Sequence, residues 1–451
     1  MRRTTVWAVA MATGLCVGLA SPAHAEPPEV SQTTAGATGL TLAEAVTRGH
    51  AKNPDVRVLA ARVALAEANV RILLARVLPN ASLVGTYVRH DNAVTQGGVT
   101  VVPADELGLS GSATVSLFNP RGLGDYLVAD QQLDAQLAEL SWSGDTLAQT
   151  VIALYIDAAL AAAVRDLAAE ATERRDAFFA AAERRLAAGQ TDRAEVQRAR
   201  LSLLEAQASL RAAEADRRVA AAALAVVLDL PLDTELALTG PLGPSAAAEG
   251  RLGEEAEAPT TRGDLLGARL RIEADETARR WGWLAFLPDL ALSGSFTQGP
   301  DSFRNPDGFA WQVELRATLV LYDGGARYGV LDRAAANLEL DTLALETLED
   351  DTRLEVRAAS LRVDALADQL LLAGEAVQIA VAYRQDVVRK LDAGLATTLD
   401  VLDAEQQLLT AEVRQRTAEH ALALARWRLV QAHGELGATL NLSGDEDRHG
   451  R

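Results

Sequence analysis

The chain has 451 residues, of which 49% are hydrophobic and only 4% aromatic, and its formal net charge is −19 at pH 7. So negative a balance argues against nucleic acid as a partner and against a basic helix lying on a membrane surface. The single cysteine, Cys16, rules out an intrachain disulfide framework and a metal site built from several thiolates.

The first residues predict a secretory signal peptide. Arg2 and Arg3 form a basic start, residues 6–19 are apolar, and small residues ending at Ala25 form a cleavage site. A lipid-anchored protein would carry a small residue just before its modified cysteine, whereas a leucine precedes Cys16, so we predict no lipid anchor. Cleavage after Ala25 leaves a mature chain without cysteine.

The rest of the chain repeats one pattern twice. Pro79 and Pro288 lie in matching Leu-Pro-Asn and Leu-Pro-Asp turns, and Gly189 and Gly394 lie in matching breaks of helical sequence, each pair separated by roughly 200 residues. A duplication this regular predicts one elongated body rather than several independent domains. We predict a first repeat over 26–228, a linker over 229–262, a second repeat over 263–437 and a polar tail over 438–451.

Each repeat begins with two segments that alternate between apolar and polar residues. The alternation is clearest over 107–117 and 311–321, where odd positions are apolar or small and even positions are mostly polar. Each segment is near the length that a tilted strand needs to cross a membrane, roughly 9–11 residues. Four strands of a soluble sheet remain the alternative. The predicted strands are 81–91, 107–118, 289–298 and 310–322.

Long proline-free segments follow the strands in both repeats. Leu133, Leu140, Leu147 and Leu154 recur every seventh residue, which is the spacing of a coiled-coil seam. No uninterrupted apolar run of about 18–20 residues follows the signal, which argues against transmembrane helices, while a scaffold coiled coil stays open. The predicted helices are 121–188, 191–228, 324–393 and 396–437.

The number of strands constrains assembly. Four strands cannot close a membrane barrel, because small barrels start at about eight strands and an open edge in lipid leaves backbone groups without partners. Several copies must therefore share one barrel if the strands cross a membrane. Three copies would supply twelve strands, and two copies are not excluded by this argument.

Several short motifs, in their order along the chain, are typical of one family. They are Leu-Thr-Leu-Ala-Glu-Ala-Val at 40–46, Leu-Pro-Asn at 78–80, Leu-Phe-Asn-Pro at 117–120, Arg-Gly-Asp-Leu at 262–265, Leu-Tyr-Asp-Gly-Gly at 321–325 and Leu-Asp-Val-Leu-Asp-Ala at 399–404. With these motifs the chain resembles the TolC-like outer-membrane efflux proteins. The resemblance implies a mainly α-helical fold with a small β part. It further implies a homotrimeric 12-stranded outer-membrane β-barrel continued by a periplasmic α-helical coiled-coil barrel.

The resemblance also implies a function in the outer membrane of a Gram-negative bacterium. The protein would be the channel of a tripartite efflux or type I secretion system, a passive exit duct gated at its periplasmic tip. Its expected partners are outer-membrane lipid, a periplasmic adaptor (membrane fusion) protein and an inner-membrane transporter of RND or ABC type. A soluble periplasmic coiled-coil scaffold without channel activity is the alternative.

The two helix breaks are the candidate functional region. Gly189 and Gly394 mark the tips of two helical hairpins, where glycine ends a helix in a left-handed conformation. Glu195 and Asp400 each follow six residues later, and Asp403 shares a helix face with Asp400. From spacing alone, the acids are first-turn residues that favour the positive end of the helix dipole. The resemblance implies instead that they constrict the tunnel entrance and that the tips contact the adaptor.

The sequence departs from the resembling family at this entrance. Members that lock the entrance with a tyrosine and an arginine would carry them about where Leu391 and Ala396 stand here. Neither residue can form such a link, so we expect a closed state to be held by other contacts or to be held less tightly. Three copies of Asp400 and Asp403 around one axis would repel, so we expect raised pKa values and a preference for cations there.

The sequence predicts no enzyme. Its six histidines show no metal-ligand spacing, no serine lies in a nucleophile elbow, and no glycine-rich loop has the lysine that cradles phosphate. We therefore predict no catalytic residue, no metal and no cofactor.

Overall fold

The computed structural model describes residues 39–102, 104–245, 262–298 and 309–440. The predicted signal peptide with its cleavage site at Ala25, much of the linker over 229–262, the loop at 299–308 and most of the polar tail lie outside the described residues.

Helices dominate the described chain. The first half contains β1 (Gly39–Leu40), α1 (Leu42–Lys52), α2 (Pro54–Ala75), β2 (Asn80–Arg89), β3 (Val94–Gln96), β4 (Val99–Val102), β5 (Asp105–Phe118), α3 (Pro120–Ala187) and α4 (Arg193–Val227). The second half contains β6 (Ala237–Leu238), α5 (Gly263–Gly282), a 3-10 turn (Trp283–Phe286), β7 (Asp289–Gln298), β8 (Phe309–Thr318), α6 (Ala326–Asp392), α7 (Thr398–Ala432) and α8 (Leu436–Thr439). The predicted fold class, mainly α with a small β part and duplicated units, is confirmed.

Some elements differ from the prediction. β8 ends at Thr318 rather than Tyr322, because Thr318 pairs with Asp289, the first residue of β7, and Pro288 before it has no N–H to continue the ladder. α7 ends at Ala432 rather than residue 437, because Gly434 adopts a φ of 71° and terminates the helix. The helices α1, α2 and α5 and the hairpin β3–β4 are additional to the predicted elements.

Four strands from both repeats form one antiparallel sheet in the order β2–β5–β7–β8. The pairing of β5 with β7 joins the two sequence repeats within one chain, because β5 belongs to the first repeat and β7 to the second. Within the described chain, β2 and β8 each pair on one side only. Both edges of the sheet therefore present backbone groups that are free to pair with another strand.

The register sorts the sheet side chains into two faces. Val115 lies opposite Leu292, and Leu292 lies opposite Leu315, whereas Ser295 lies between Ser112 and Gln312 on the other side. We call these the apolar face and the polar face. Representative members of the apolar face are Leu83, Tyr87, Leu109, Val115, Leu292 and Leu315. Representative members of the polar face are Ser82, Ser112, Thr114, Ser293, Ser295 and Gln312, with Val84 and Val88 as exceptions.

The largest buried core lies where α1, α3, α4, α7 and α8 meet. Tyr155 of α3 is buried there, and its hydroxyl donates to the Leu40 carbonyl at 2.8 Å and accepts from the Thr239 N–H at 3.1 Å. These bonds fix β1 against β6, which pair in parallel. The members of the core include Val46, Ile152, Leu224, Trp427, Val430 and Leu436.

A buried arginine fixes the start of the second repeat. Arg262 donates to Asp264 and to Glu355 of α6, at 2.8 and 2.7 Å, and stacks over the Trp142 ring at 4.2 Å. Gly263 beside it approaches α3 so closely that a Cβ would lie 2.7 Å from the Ala138 carbonyl oxygen. The Arg-Gly-Asp-Leu motif therefore packs α5 against α3 and α6.

The two longest helices contain apolar windows. An 18-residue stretch of α3 and one of α6 are long and apolar enough to cross a membrane, with mean hydropathies of 1.8 and 1.4. Only 33% of the α3 window and 11% of the α6 window are buried within the chain. The predicted absence of transmembrane helices rested on uninterrupted apolar runs, whereas these windows tolerate occasional charges. Both windows leave apolar surface available for packing against other helices.

Candidate functional site

The two hairpin tips have the same backbone geometry. Gly189 and Gly394 adopt φ values of 71° and 73°, and their N–H groups donate to the Leu186 and Leu391 carbonyls at 2.9 and 3.0 Å. No heavy atom other than chain neighbours lies within 4 Å of a Cβ placed on either glycine. The requirement for glycine therefore comes from the left-handed backbone rather than from crowding.

The first tip engages its own acid. Asp192 caps α4 by accepting from the Glu195 N–H at 2.9 Å, and the Thr191 hydroxyl donates to the Glu195 carboxylate. Glu195 is half-buried by these contacts. In a single chain it is thus a first-turn residue bound to its own turn.

The second tip carries the predicted acid pair at the start of α7. Asp400 forms a capping box with Thr397: its carboxylate accepts from the Thr397 N–H at 2.7 Å and from the Thr397 hydroxyl at 2.8 Å. These hydrogen bonds, the backbone one foremost, lower the pKa of Asp400. Asp403, three residues further along the helix, is exposed and accepts from the Gln407 amide at 2.6 Å.

The lowered pKa is opposite to the expectation for the acid pair. That expectation concerned repulsion among several copies, whereas the hydrogen bonds to Thr397 act within one chain. Asp400 remains exposed while it caps α7, so it can serve both as a helix cap and as a charge at a tunnel entrance. Asp400 and Asp403 lie three residues apart on α7, whereas Glu195 lies on α4 of the other hairpin.

Ion pairs join the two hairpins near these tips, and the sequence analysis missed them. Arg185 at the end of α3 contacts Asp392 at the end of α6, with 2.8 Å between Nη2 and Oδ1. Deeper in, Glu405 of α7 is only 8% exposed and accepts from Arg174 of α3 at 3.2 Å and from Arg384 of α6. Glu405 therefore links three long helices.

The neighbours of Glu405 extend this network, which we call the Glu405 cluster. Arg174 also lies 3.5 Å from Glu412, whose pKa is raised by burial in spite of the nearby guanidinium. Arg175 is buried and donates to the Ser202 carbonyl at 3.3 Å and to Gln406 at 2.8 Å. Periodicity could have located Glu405, because it follows Val401 by four residues and precedes Leu408 by three on the buried face of α7.

An apolar cluster lies beside these ion pairs. Val387, Val401 and Ala404 are buried, and Phe178 of α3 packs against them. Leu391 and Ala396, the positions where the resembling family would carry a tyrosine and an arginine, also pack against this cluster. At these two positions the chain therefore makes apolar contacts in place of the polar link of the resembling family.

The described residues contain no group of three or more His, Cys, Asp or Glu side chains that could hold a metal ion. The arrangement at the tips joins helices through ion pairs and presents Asp400 and Asp403 to solvent.

Comparison with known proteins places this geometry in context. A family model for outer membrane efflux proteins matches residues 48–228 and 257–435. The outer membrane efflux protein BepC of Brucella suis biovar 1 (strain 1330) is 24% identical over 414 residues, which are 88% of this chain and 86% of that protein. Nodulation protein T of Rhizobium leguminosarum bv. trifolii is 25% identical over 421 residues, 89% of this chain and 85% of that protein.

Solved structures share the fold. The outer membrane protein VceC of Vibrio cholerae superposes with a TM-score of 0.71 at 20% identity, covering 87% of this chain and 96% of that one. The open state of the MtrE outer membrane channel of Neisseria gonorrhoeae gives a TM-score of 0.72 at 20% identity, covering 87% of this chain and 88% of that one.

Proposed function

Because the chain belongs to the outer membrane efflux protein family, we propose that it is a passive exit duct whose helical-hairpin tips open and close. The protein is an outer-membrane efflux channel with a periplasmic part. Its strands, its long helices and its tips then have separate tasks: to cross the lipid, to line a tunnel and to control entry.

The observation that carries the proposal is the two-faced sheet with two open edges. Trp311 and Leu315 on the apolar face are 71% and 65% exposed in a single chain, which suits contact with lipid. The polar face suits a water-filled lumen. Lipid tolerates no unpaired strand edge, so β8 of one copy pairs with β2 of the next. Three copies give a homotrimeric barrel of twelve strands.

The helices support the same head-to-tail assembly. Helix α3 packs against α2, α4, α5 and α7, while α6 packs against α5 and α7. Within one copy, α6 lies at one side of the helical layer, and α2 and α4 lie at the other. Exposed apolar side chains mark both sides, with Leu65, Leu201 and Val219 on α2 and α4 and Leu340, Leu354 and Ile379 on α6. Each side would seat on the opposite side of the next copy.

The tips form the gate in this proposal. Asp400, Asp403 and Glu195 face the entrance of the tunnel, and the Glu405 cluster, the Arg185–Asp392 pair and the apolar cluster hold the closed arrangement. These contacts replace the tyrosine and arginine that Leu391 and Ala396 cannot supply. Within each protomer, these contacts therefore join the first helical hairpin to the second near the tips.

Members of this family work with adaptors and inner-membrane transporters in tripartite pumps. For this chain we propose a periplasmic adaptor that contacts the tips at Gly189 and Gly394, and an inner-membrane transporter of RND or ABC type. The exposed apolar face of the sheet disfavours the alternative of a water-soluble scaffold, because that face would be left against water.

Reconstitution into planar bilayers tests the proposed function. We expect a detergent-extracted trimer that conducts ions and prefers cations. The variant carrying Asp400→Ala and Asp403→Ala should lose part of that preference, because it removes up to six charges from three tips. Glu419→Ala, which removes an exposed acid further along α7, is the matched control. A monomer without conductance would overturn the duct, and a conducting trimer indifferent to Asp400 and Asp403 would overturn only the gate.

A further inference from the structure

A single arginine lies on the polar face of the strands, while His90, just after β2, lies 3.7 Å from Glu106. Arg316 of β8 is the only basic side chain on that face within the described strands. The acids of the same face are Glu106 near the start of β5, Asp289 at the first residue of β7, and Glu314. The remaining members are mostly hydroxyl, amide or small side chains.

Arg316 forms an ion pair along its own strand. Its Nε donates to Glu314 Oε1 at 2.9 Å, and its Nη2 lies 2.8 Å from the same oxygen. The two residues are two apart and therefore share a face. Across the sheet, Arg316 lies opposite Ala291 and Glu314 lies opposite Ser293, neither of which is charged. Asp289 is two residues from Ala291 on the same face, toward the end of the sheet that joins the helices.

The pair stays in contact with water in a single chain. The Arg316 and Glu314 side chains are 68% and 42% exposed, so their attraction is screened and no burial holds them together. Because this exposed pair contributes little to stability, we expect its charges to act mainly on ions that pass through the lumen. In a narrow lumen, a ring of unpaired like charges would dominate the local potential.

We propose that Arg316 determines the charge selectivity of the barrel lumen by admitting anionic solutes past an otherwise acidic wall. This rests on the proposed function, since it requires the polar face to line a closed barrel. Three copies place three guanidinium groups beside three Glu314 carboxylates at one level of the lumen. These six groups together carry no net charge. Anions therefore meet a positive group at a level where the carboxylates alone would repel them. The acidic tips would retain the cation preference, while the barrel would pass solutes of either sign.

The test is the reversal potential of single channels across a potassium chloride gradient. Arg316→Gln leaves Glu314 and Asp289 without a counter-charge, so the permeability ratio of potassium to chloride should rise roughly threefold or more. Glu314→Gln should lower the ratio by a smaller factor, because Asp289 still offsets part of the arginine charge. The double variant should return toward the unmodified protein.

Two controls separate charge from structure. Arg316→Lys keeps the charge and should keep the ratio. Arg89→Gln removes an arginine from the end of the apolar face, where it pairs with Asp105 at 3.6 Å, and should also leave the ratio unchanged. A conducting channel in which Arg316→Gln and Glu314→Gln leave the ratio unchanged, or shift it in the same direction, would overturn the inference. It would leave the duct itself intact.

A second measurement does not depend on conductance. The only cysteine of the sequence, Cys16, lies in the predicted signal peptide, so Glu314→Cys and Val313→Cys each introduce a single thiol into the mature chain. In outer-membrane vesicles, a charged, membrane-impermeant thiol reagent should modify the cysteine at 314 and spare the neighbouring one at 313, which lies on the apolar face. The reverse pattern would place Arg316 against lipid and overturn the inference.

Discussion

The Glu405 cluster offers the sharpest test of the proposal that contacts between the two hairpins hold the tips closed. Glu405→Gln keeps the size of the side chain and an acceptor but removes the negative charge between Arg174 and Arg384. Both arginines then retain their positive charge next to a neutral amide. Arg174 keeps two other carboxylates, Glu412 at 3.5 Å and Glu170 at 3.6 Å, whereas Glu405 is the one carboxylate that the described contacts give Arg384.

The expected size of the effect follows from burial. Removing one partner of a buried ion pair costs about 3–5 kcal/mol. The Arg174 and Arg384 side chains are 21% and 32% exposed, so water screens part of the penalty and we expect about 2–3 kcal/mol. If these contacts exist only in the closed arrangement, the closed-to-open equilibrium should shift by roughly 30- to 160-fold toward open.

The assay is the open probability of single channels in planar bilayers at fixed voltage and pH. Glu419→Gln is the matched control: Glu419 lies on the same helix and pairs with Arg416 at 3.0 Å, but both side chains are about half exposed. Exposed pairs contribute about 0–1 kcal/mol, so the control should change open probability by less than about fivefold. Equal open probabilities for Glu405→Gln, Glu419→Gln and the unmodified channel would refute the assigned role of the cluster.

Three further predictions concern stability and use thermal unfolding of the detergent-solubilised protein. Burial raises the pKa of Asp145 from 3.8 to about 6, against a lowering hydrogen bond from the Gly437 backbone. The folded protein therefore gains stability as the pH falls from about 6 toward 4, and Asp145→Asn should stabilise it by about 1–2 kcal/mol at pH 7.5, with the difference vanishing near pH 4. No pH dependence of that difference would contradict the assignment. Asp229 adopts a φ of 52° just after α4, so Asp229→Gly should stabilise the protein by about 0.5–1 kcal/mol, and a loss of stability would show that its side chain matters more than its backbone. Tyr155→Phe removes the hydroxyl that bonds Leu40 and Thr239 and should cost about 1–2 kcal/mol, whereas an unchanged melting temperature would show that packing and the pairing with β6 hold β1 without this hydroxyl.

Sequence periodicity anticipated the elements that are long and regular. The alternation over 107–117 and the heptad leucines of α3 extend far enough to be read without knowledge of their partners. The glycine turns at Gly189 and Gly394 were likewise evident, because one residue type suits a left-handed helix end.

Contacts between distant parts of the chain were not accessible in this way. Arg185 and Asp392 lie in different repeats, and nothing in either local sequence specifies the other as its partner. The partnership of Arg174 with Glu405 was equally inaccessible from the local sequence. So was the pairing of β5 with β7 of the same chain rather than with a strand of another protomer. Asp400 shows a related limit: its spacing fits both a helix cap and an entrance charge, and only the folded structure shows that it caps α7.

The shared core around Tyr155 has a consequence for biogenesis. It draws on α1 at the start of the described residues and on Trp427 and Leu436 near their end, so most of the described polypeptide must be exported before that core can close. Until then, the apolar surface of α3 is exposed in the periplasm, and we expect a chaperone to bind it and prevent aggregation. For the same reason we expect neither half to fold as a self-sufficient unit, and a gene split between the repeats should yield fragments that survive only when both are secreted together.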